Sequence, residues 1–122
     1  MSLKTEHQAV IGAGLVGSLW ALILANKGYK VTLYDRRPDP RLNTIDGGRS
    51  INLALSDRGW KALKIAGIED LVRQIALPVM GRRLHSLSGD TNFQSYGNEE
   101  QCIYSVSRAG LNMILVEAAE KN

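Results

Sequence analysis

The chain has 122 residues, 44% of them hydrophobic and 22% charged, which excludes disordered and fibrous classes and suffices for one domain with a real core. Its net charge of +3 is mild and only 6% of its residues are aromatic. Nucleic-acid binding calls for a denser basic stripe with aromatics to stack on bases, so small anions such as phosphates and carboxylates are the better partners.

The single cysteine, Cys102, excludes an intrachain disulfide and a thiolate metal site. It reads as a small packed hydrophobe at a strand edge. The two histidines, His7 and His85, have no ligand spacing; His85 reads as a half-buried strand residue without a role. No apolar run reaches the ~18–20 residues of a membrane span, and Leu15–Ala25 follows a strand and a glycine turn rather than a charged leader. A soluble protein of a reducing compartment, the cytoplasm, is expected, with no metal site.

In chain order, Gln8–Ile11 is a short apolar run ending in glycines, suited to a buried parallel strand. Leu15–Lys27 is apolar nearly all round and reads as a buried helix stopped by Gly28. Lys30–Tyr34 is the next strand, rich in β-branched and aromatic residues. Pro38–Gly48 is a loop and Arg49–Leu55 is extended or irregular. Ser56 is a candidate N-cap for a helix over Asp57–Ala66 stopped by Gly67, and Ile68, Leu71, Val72 and Ile75 mark a second short helix. Pro78 breaks the helical pattern. Arg82–Ser88 and Asn92–Tyr96 flank Gly89-Asp90 as a hairpin, Ile103–Val106 is a strand, and Ser107 caps a last helix with Leu111, Ile114, Leu115 and Ala118 on one stripe.

Gly12-Ala13-Gly14-Leu15-Val16-Gly17 fits the G-x-G-x-x-G pattern between a strand and a helix. Gly12 lets the chain turn sharply, Gly14 lets a pyrophosphate approach the backbone, and Gly17 lets the helix pack closely. The helix start offers unpaired N–H groups and a positive dipole end to phosphates. Asp35 closes the second strand, where a carboxylate accepts hydrogen bonds from ribose hydroxyls. Strand, glycines, helix, strand and acid together specify an α/β, Rossmann-like dinucleotide-binding βαβ unit. They do not choose between FAD and NAD, and Arg36 and Arg37 leave a 2′-phosphate of NADP open, although the Asp35 carboxylate would repel it.

Further along, Gly48-Arg49-Ser50-Ile51-Asn52-Leu53-Ala54-Leu55-Ser56, Arg82-Arg83-Leu84-His85-Ser86-Leu87-Ser88-Gly89, Tyr96-Gly97 and Ser105-Val106-Ser107-Arg108-Ala109-Gly110-Leu111-Asn112 follow in order. With Gly12–Gly17 and Asp35, this succession resembles the FAD-dependent aromatic hydroxylases, in the branch that acts on L-kynurenine, from about Ala9 to Lys121. The resemblance implies an FAD-binding fold in which Gly12, Gly14, Val16 and Gly17 meet the phosphates. Tyr34, Asp35, Arg36 and Arg37 then surround the adenosine ribose, Ala54 lies toward the flavin, and Arg108 binds the ribityl-pyrophosphate region. Asp35 stands where relatives commonly have glutamate, one methylene longer. Arg82 and Tyr96 match the pair that holds the amino-acid carboxylate of L-kynurenine; a planar guanidinium fork and a phenol donor suit that task. Arg83 points to the opposite strand face and is solvated, and Arg49 is either a flavin or phosphate contact or a structural ion pair.

The implied activity is NADPH-consuming hydroxylation of L-kynurenine to 3-hydroxykynurenine, in tryptophan degradation and NAD biosynthesis. No protein residue is expected to be catalytic in the nucleophile or acid–base sense, because the cofactor carries the chemistry. On the same resemblance, residues 1–122 form the N-terminal part of the FAD-binding domain, with the start of the substrate region at about 80–105. Such a fragment is expected to bind FAD weakly or not at all, and not to hydroxylate. Two other classes stay open: an NAD(P)-dependent dehydrogenase domain, and a non-catalytic interaction module on a dinucleotide fold.

Overall fold

A computed structural model describes residues 5–42, 51–98 and 101–122. It is an α/β fold whose first half is a βαβ unit: β1 (His7–Ile11), α1 (Leu15–Asn26) and β2 (Lys30–Tyr34). The two strands pair in parallel, with His7 opposite Lys30 and Ile11 opposite Tyr34. After them come β3 (Asn52–Leu55), α2 (Asp57–Ile65), α3 (Glu69–Arg73) and β4 (Leu77–Val79). The chain continues with β5 (Gly81–His85), β6 (Thr91–Ser95), β7 (Ile103–Ser107) and α4 (Arg108–Lys121). Among the described residues, β3, β7 and β4 form an antiparallel sheet in that order, and β5 and β6 form a separate hairpin.

One core joins these pieces. Leu22 of α1, Leu55 of β3, Trp60 and Leu63 of α2, Val72 of α3, Val106 of β7 and Leu111 and Leu115 of α4 pack into one buried cluster. Both α1 and α2 end in the same way. Gly28 and Gly67 take positive φ, at 83° and 75°, so the next N–H can fold back to the last turn, as Tyr29 N–H does on the Leu24 carbonyl and Ile68 N–H on the Leu63 carbonyl. A carboxylate–guanidinium cluster of Asp39, Arg41 and Glu120 ties the segment after β2 to the end of α4.

Several sequence expectations need correction. β1 is not buried: its residues alternate between exposed and half-buried, and Ile11 is 80% exposed. The face carrying His7, Ala9 and Ile11 is covered by nothing among the described residues, so its side chains stand in solvent whatever their hydropathy. Likewise α1 is buried on one side only, at Ser18, Ala21, Leu22 and Leu24, while Val16 and Trp20 stand exposed. Of the stripe assigned to α3, Ile68 and Val72 are buried but Leu71 and Ile75 are not, because a helix of this length shows the core barely one turn. Ser56 does occupy the N-cap of α2, yet its hydroxyl makes no capping bond; Ser107 Oγ does accept the Gly110 N–H of α4, at 3.2 Å. His85 is exposed rather than half-buried. The stretch before Ser56 contains a regular strand, β3, and Pro78 sits within β4, an edge strand where a missing N–H costs no ladder bond.

Candidate functional site

The glycine turn is built by backbone geometry. Gly12 has φ of 103° and its N–H donates to the Tyr34 carbonyl at 2.6 Å, which ties the turn to the end of β2. A Cβ on Gly17 would lie 1.8 Å from the Gly12 carbonyl oxygen, so only glycine lets α1 cross the turn this closely. Gly14 differs: a Cβ there would meet nothing within 4 Å and its φ is an ordinary −75°. Among the described residues nothing requires glycine there, and the space in front of it is open.

Gly14 is also the N-cap of α1, without a side-chain cap and with no acidic residue in the first turn. The helix's own ladder cannot reach the first N–H groups, and its first turn carries no acidic residue of its own. An anion is the group that fits. On the other side of the turn, the Asp35 carboxylate accepts the Ala13 N–H at 2.8 Å. Ile11, Gly12, Tyr34, Asp35, Arg36 and Arg37 line one cavity of ≈ 410 Å³. The cavity thus brings the first glycine of the turn together with the acid that follows β2. Val16, 82% exposed in the first turn of α1, borders the same helix start.

Asp35 is already engaged. Arg37 donates its backbone N–H and Nε to Oδ1, at 2.8 and 3.0 Å, and Nη2 to Oδ2 at 3.0 Å. The Arg37 guanidinium, then the Arg37 and Ala13 N–H groups, hold the carboxyl well below the usual carboxylate range. Arg36 lines the cavity and is exposed.

Ala54 and Arg108 are not among the residues lining that cavity. Ala54 is exposed on β3, opposite Ser105 of β7, on the strand face away from the buried Leu55. Arg108 opens α4, and its N–H donates to the Ile51 carbonyl at 3.4 Å, so the start of β3 and the start of α4 meet. Arg49 lies outside the described residues.

The hairpin places the remaining two assignments. β5 and β6 pair antiparallel with Arg82 opposite Gln94 and Arg83 opposite Phe93. Arg82 and Arg83 therefore face opposite sides, as expected. Arg82 is exposed and donates Nε–H to the side-chain oxygen of Gln94 at 2.7 Å. Tyr96 follows Gln94 by two residues, and its N–H bonds the Met80 carbonyl at 2.9 Å, which carries the pairing one step past β6. Gly81 is fixed by the partner strand: a Cβ there would lie 2.4 Å from the Gln94 carbonyl oxygen and 2.5 Å from Phe93 Cζ. Tyr96 also lines a second cavity, ≈ 420 Å³, with Trp60, Arg73, Cys102 and Tyr104; Arg82 is not among its lining residues. In that cavity Arg73 stacks over Trp60 at 4.4 Å and pairs with Glu69. Sequence reasoning missed the Ala13 N–H and Gln94, whose partners become visible only once the register is known.

A strand–glycine turn–helix–strand unit with a terminal acid defines a Rossmann-type dinucleotide-binding domain. Residues 7–73 match the sequence profile of the 3-hydroxyacyl-CoA dehydrogenase NAD-binding domain, and the chain belongs to this family of dinucleotide-binding domains. Over almost its whole length it is also similar to kynurenine 3-monooxygenases. That of Christiangramia forsetii is 52% identical over 117 residues, 96% of this chain and 26% of the relative. The chain thus spans about a quarter of the length of the curated relatives it matches. Solved oxygenases share the fold. For 2-methyl-3-hydroxypyridine-5-carboxylic acid oxygenase the TM-score is 0.76 at 20% identity, over 97% of this chain and 30% of that one. For a Photorhabdus luminescens protein described as an FAD-containing monooxygenase it is 0.66 at 22%, over 91% and 28%.

Proposed function

We propose that this chain is the N-terminal part of an FAD-dependent aromatic hydroxylase acting on L-kynurenine. The observation that supports the reading is that one chain joins a glycine turn, tied to Asp35, to an exposed hairpin presenting Arg82. The dehydrogenase profile ends at residue 73, before the hairpin and α4, whereas the similarity to the monooxygenases continues through both. The profile thus covers what NAD and FAD domains have in common, and the hydroxylase reading accounts for the rest as well. On this reading residues 1–122 are the first part of the FAD domain, and about 80–105 begin the substrate region.

The residues divide the work by chemistry. Gly12, Gly14, Val16 and Gly17 receive the FAD phosphates at the start of α1, and Asp35, with Tyr34, Arg36 and Arg37 around it, holds the adenosine ribose. Ala54 and Arg108, at the meeting of β3 and α4, face the flavin and its ribityl-pyrophosphate. Arg82 and Tyr96 bind the substrate carboxylate and so orient the aromatic ring. When bound, FAD supplies the redox chemistry, with NADPH as reductant and dioxygen as oxidant; the protein binds, orients and excludes water. The activity belongs to tryptophan degradation and NAD biosynthesis, and a cytoplasmic setting agrees with the single cysteine.

The test is purification of the full-length protein carrying this chain. A bound flavin spectrum and NADPH oxidation that depends on L-kynurenine are expected, and Asp35→Ala should lose the flavin. A colourless protein that oxidises a hydroxy acid with NAD would overturn the reading. The 122-residue chain alone should retain little flavin and show no such oxidation.

A further inference from the structure

Arg82 and Gln94 stand directly opposite each other on β5 and β6, and Tyr96 follows the end of β6, with its N–H on the Met80 carbonyl. The side-chain oxygen of Gln94 takes the Arg82 Nε–H at 2.7 Å. A guanidinium can grip a carboxylate along two edges: the side edge, Nε with one Nη, or the terminal edge with both Nη groups. Here the side edge is used by Gln94, and the Nη groups make no hydrogen bond or ion pair with the described residues.

We propose that Gln94 is a positioning residue that fixes the plane of Arg82, so that the terminal edge of the guanidinium receives the substrate carboxylate end-on. The chemistry of the partner matters. A neutral amide holds Nε without neutralising the cation, whereas a carboxylate in the same place would form an internal ion pair and compete with the ligand. Holding the fork in advance removes rotamer freedom that binding would otherwise have to remove. The proposal rests on the reading of Arg82 as the carboxylate anchor, and it adds a requirement that reading lacks: discrimination between the amino acid and its decarboxylated amine depends on Gln94.

The experiment uses the full-length flavoprotein and compares L-kynurenine with kynuramine, the same aryl ketone without the carboxylate. Binding is followed by perturbation of the flavin spectrum, and turnover by NADPH oxidation. Gln94→Leu should weaken L-kynurenine about tenfold, the size of one lost hydrogen bond to a charged group, with kcat within about twofold. Kynuramine binding should not change. Gln94→Glu should also weaken L-kynurenine alone, through charge. In an Arg82→Leu background, which has no guanidinium to hold, adding Gln94→Leu should cause no further loss.

The proposal fails if Gln94→Leu leaves L-kynurenine binding intact while Arg82→Leu weakens it. It also fails if both ligands weaken equally, which marks a hairpin-stabilising role. If Arg82→Leu itself has no effect on L-kynurenine, the anchor reading falls, and the two failures are told apart.

Discussion

Gly14 and Gly17 lie three residues apart in one motif, but different forces hold them. Gly17→Ala drives a methyl into the Gly12 carbonyl, and overpacking of this kind costs about 1–3 kcal/mol; a drop in the thermal midpoint measures it. Gly14→Ala meets no atom, so it should cost only the N-cap preference for glycine over alanine, about 1 kcal/mol or less. Its methyl occupies the approach to the helix start, so flavin retention should fall by more than the melting curve accounts for. Asp35 invites a pH test. Its folded carboxyl ionises far below the ordinary 3.8 because of Arg37 and the Ala13 N–H. A depressed carboxylate contributes stability that is present above its unfolded value and lost only as pH falls through the folded one. Asp35 should thus give flavin affinity no acid limb above about pH 4, and an affinity that fell between pH 7 and 5 in the parent but not in Asp35→Asn would contradict this assignment.

At the level of elements, the two serine caps separate a position from an interaction. Ser107→Ala removes a hydrogen bond to α4 and should cost about 1 kcal/mol, whereas Ser56→Ala should cost clearly less because no such bond exists; paired urea melts compare them. The segment after β2 is held by Asp39, whose carboxyl the Arg41 side chain and N–H pull down to about 2 from 3.8. That contribution is complete above about pH 4 and vanishes as pH falls through about 2. The difference in melting temperature between the parent and Asp39→Asn should therefore shrink over that interval.

The elements also show what a sequence can and cannot carry. β2, α4 and the end of α1 were legible because local chemistry decides them: β-branched residues, a capping serine, a glycine with positive φ. β3 and β4 were not, since each is four residues or fewer and exists by pairing with β7, far along the chain. Exposure was the least legible quantity. Val16, Ile11 and Trp20 are apolar, and nothing in their neighbours indicates that the described fold leaves them uncovered. In the candidate site, Gly12 to Gly17 and Asp35 were legible from spacing. The engagement of Asp35 by Arg37, and of Arg82 by Gln94, depends on side-chain geometry and register that spacing does not set.

For the whole molecule, stability should be uneven. Val106 of β7 is 1% exposed at the centre of the three-stranded sheet, while every residue of β6 is exposed. A two-stranded hairpin without a covered face is marginal on its own. Backbone amides of β5 and β6 should exchange with deuterium well before those of β7 and α4, which should open only with global unfolding. Equal protection in both regions would show that the hairpin shares the core's cooperativity.

Gly81 carries a consequence for comparing descendants of this chain. The carbonyl of Gln94 and the ring of Phe93 leave no room for a Cβ there, whatever ligand Arg82 meets. Selection for another acid could replace Arg82 or Tyr96 freely and would still have to keep the glycine beside them. An invariant column at Gly81 would then mark the steric demand of the hairpin's backbone and say nothing of the ligand, which under the proposed function would be read at Arg82 and Tyr96 instead.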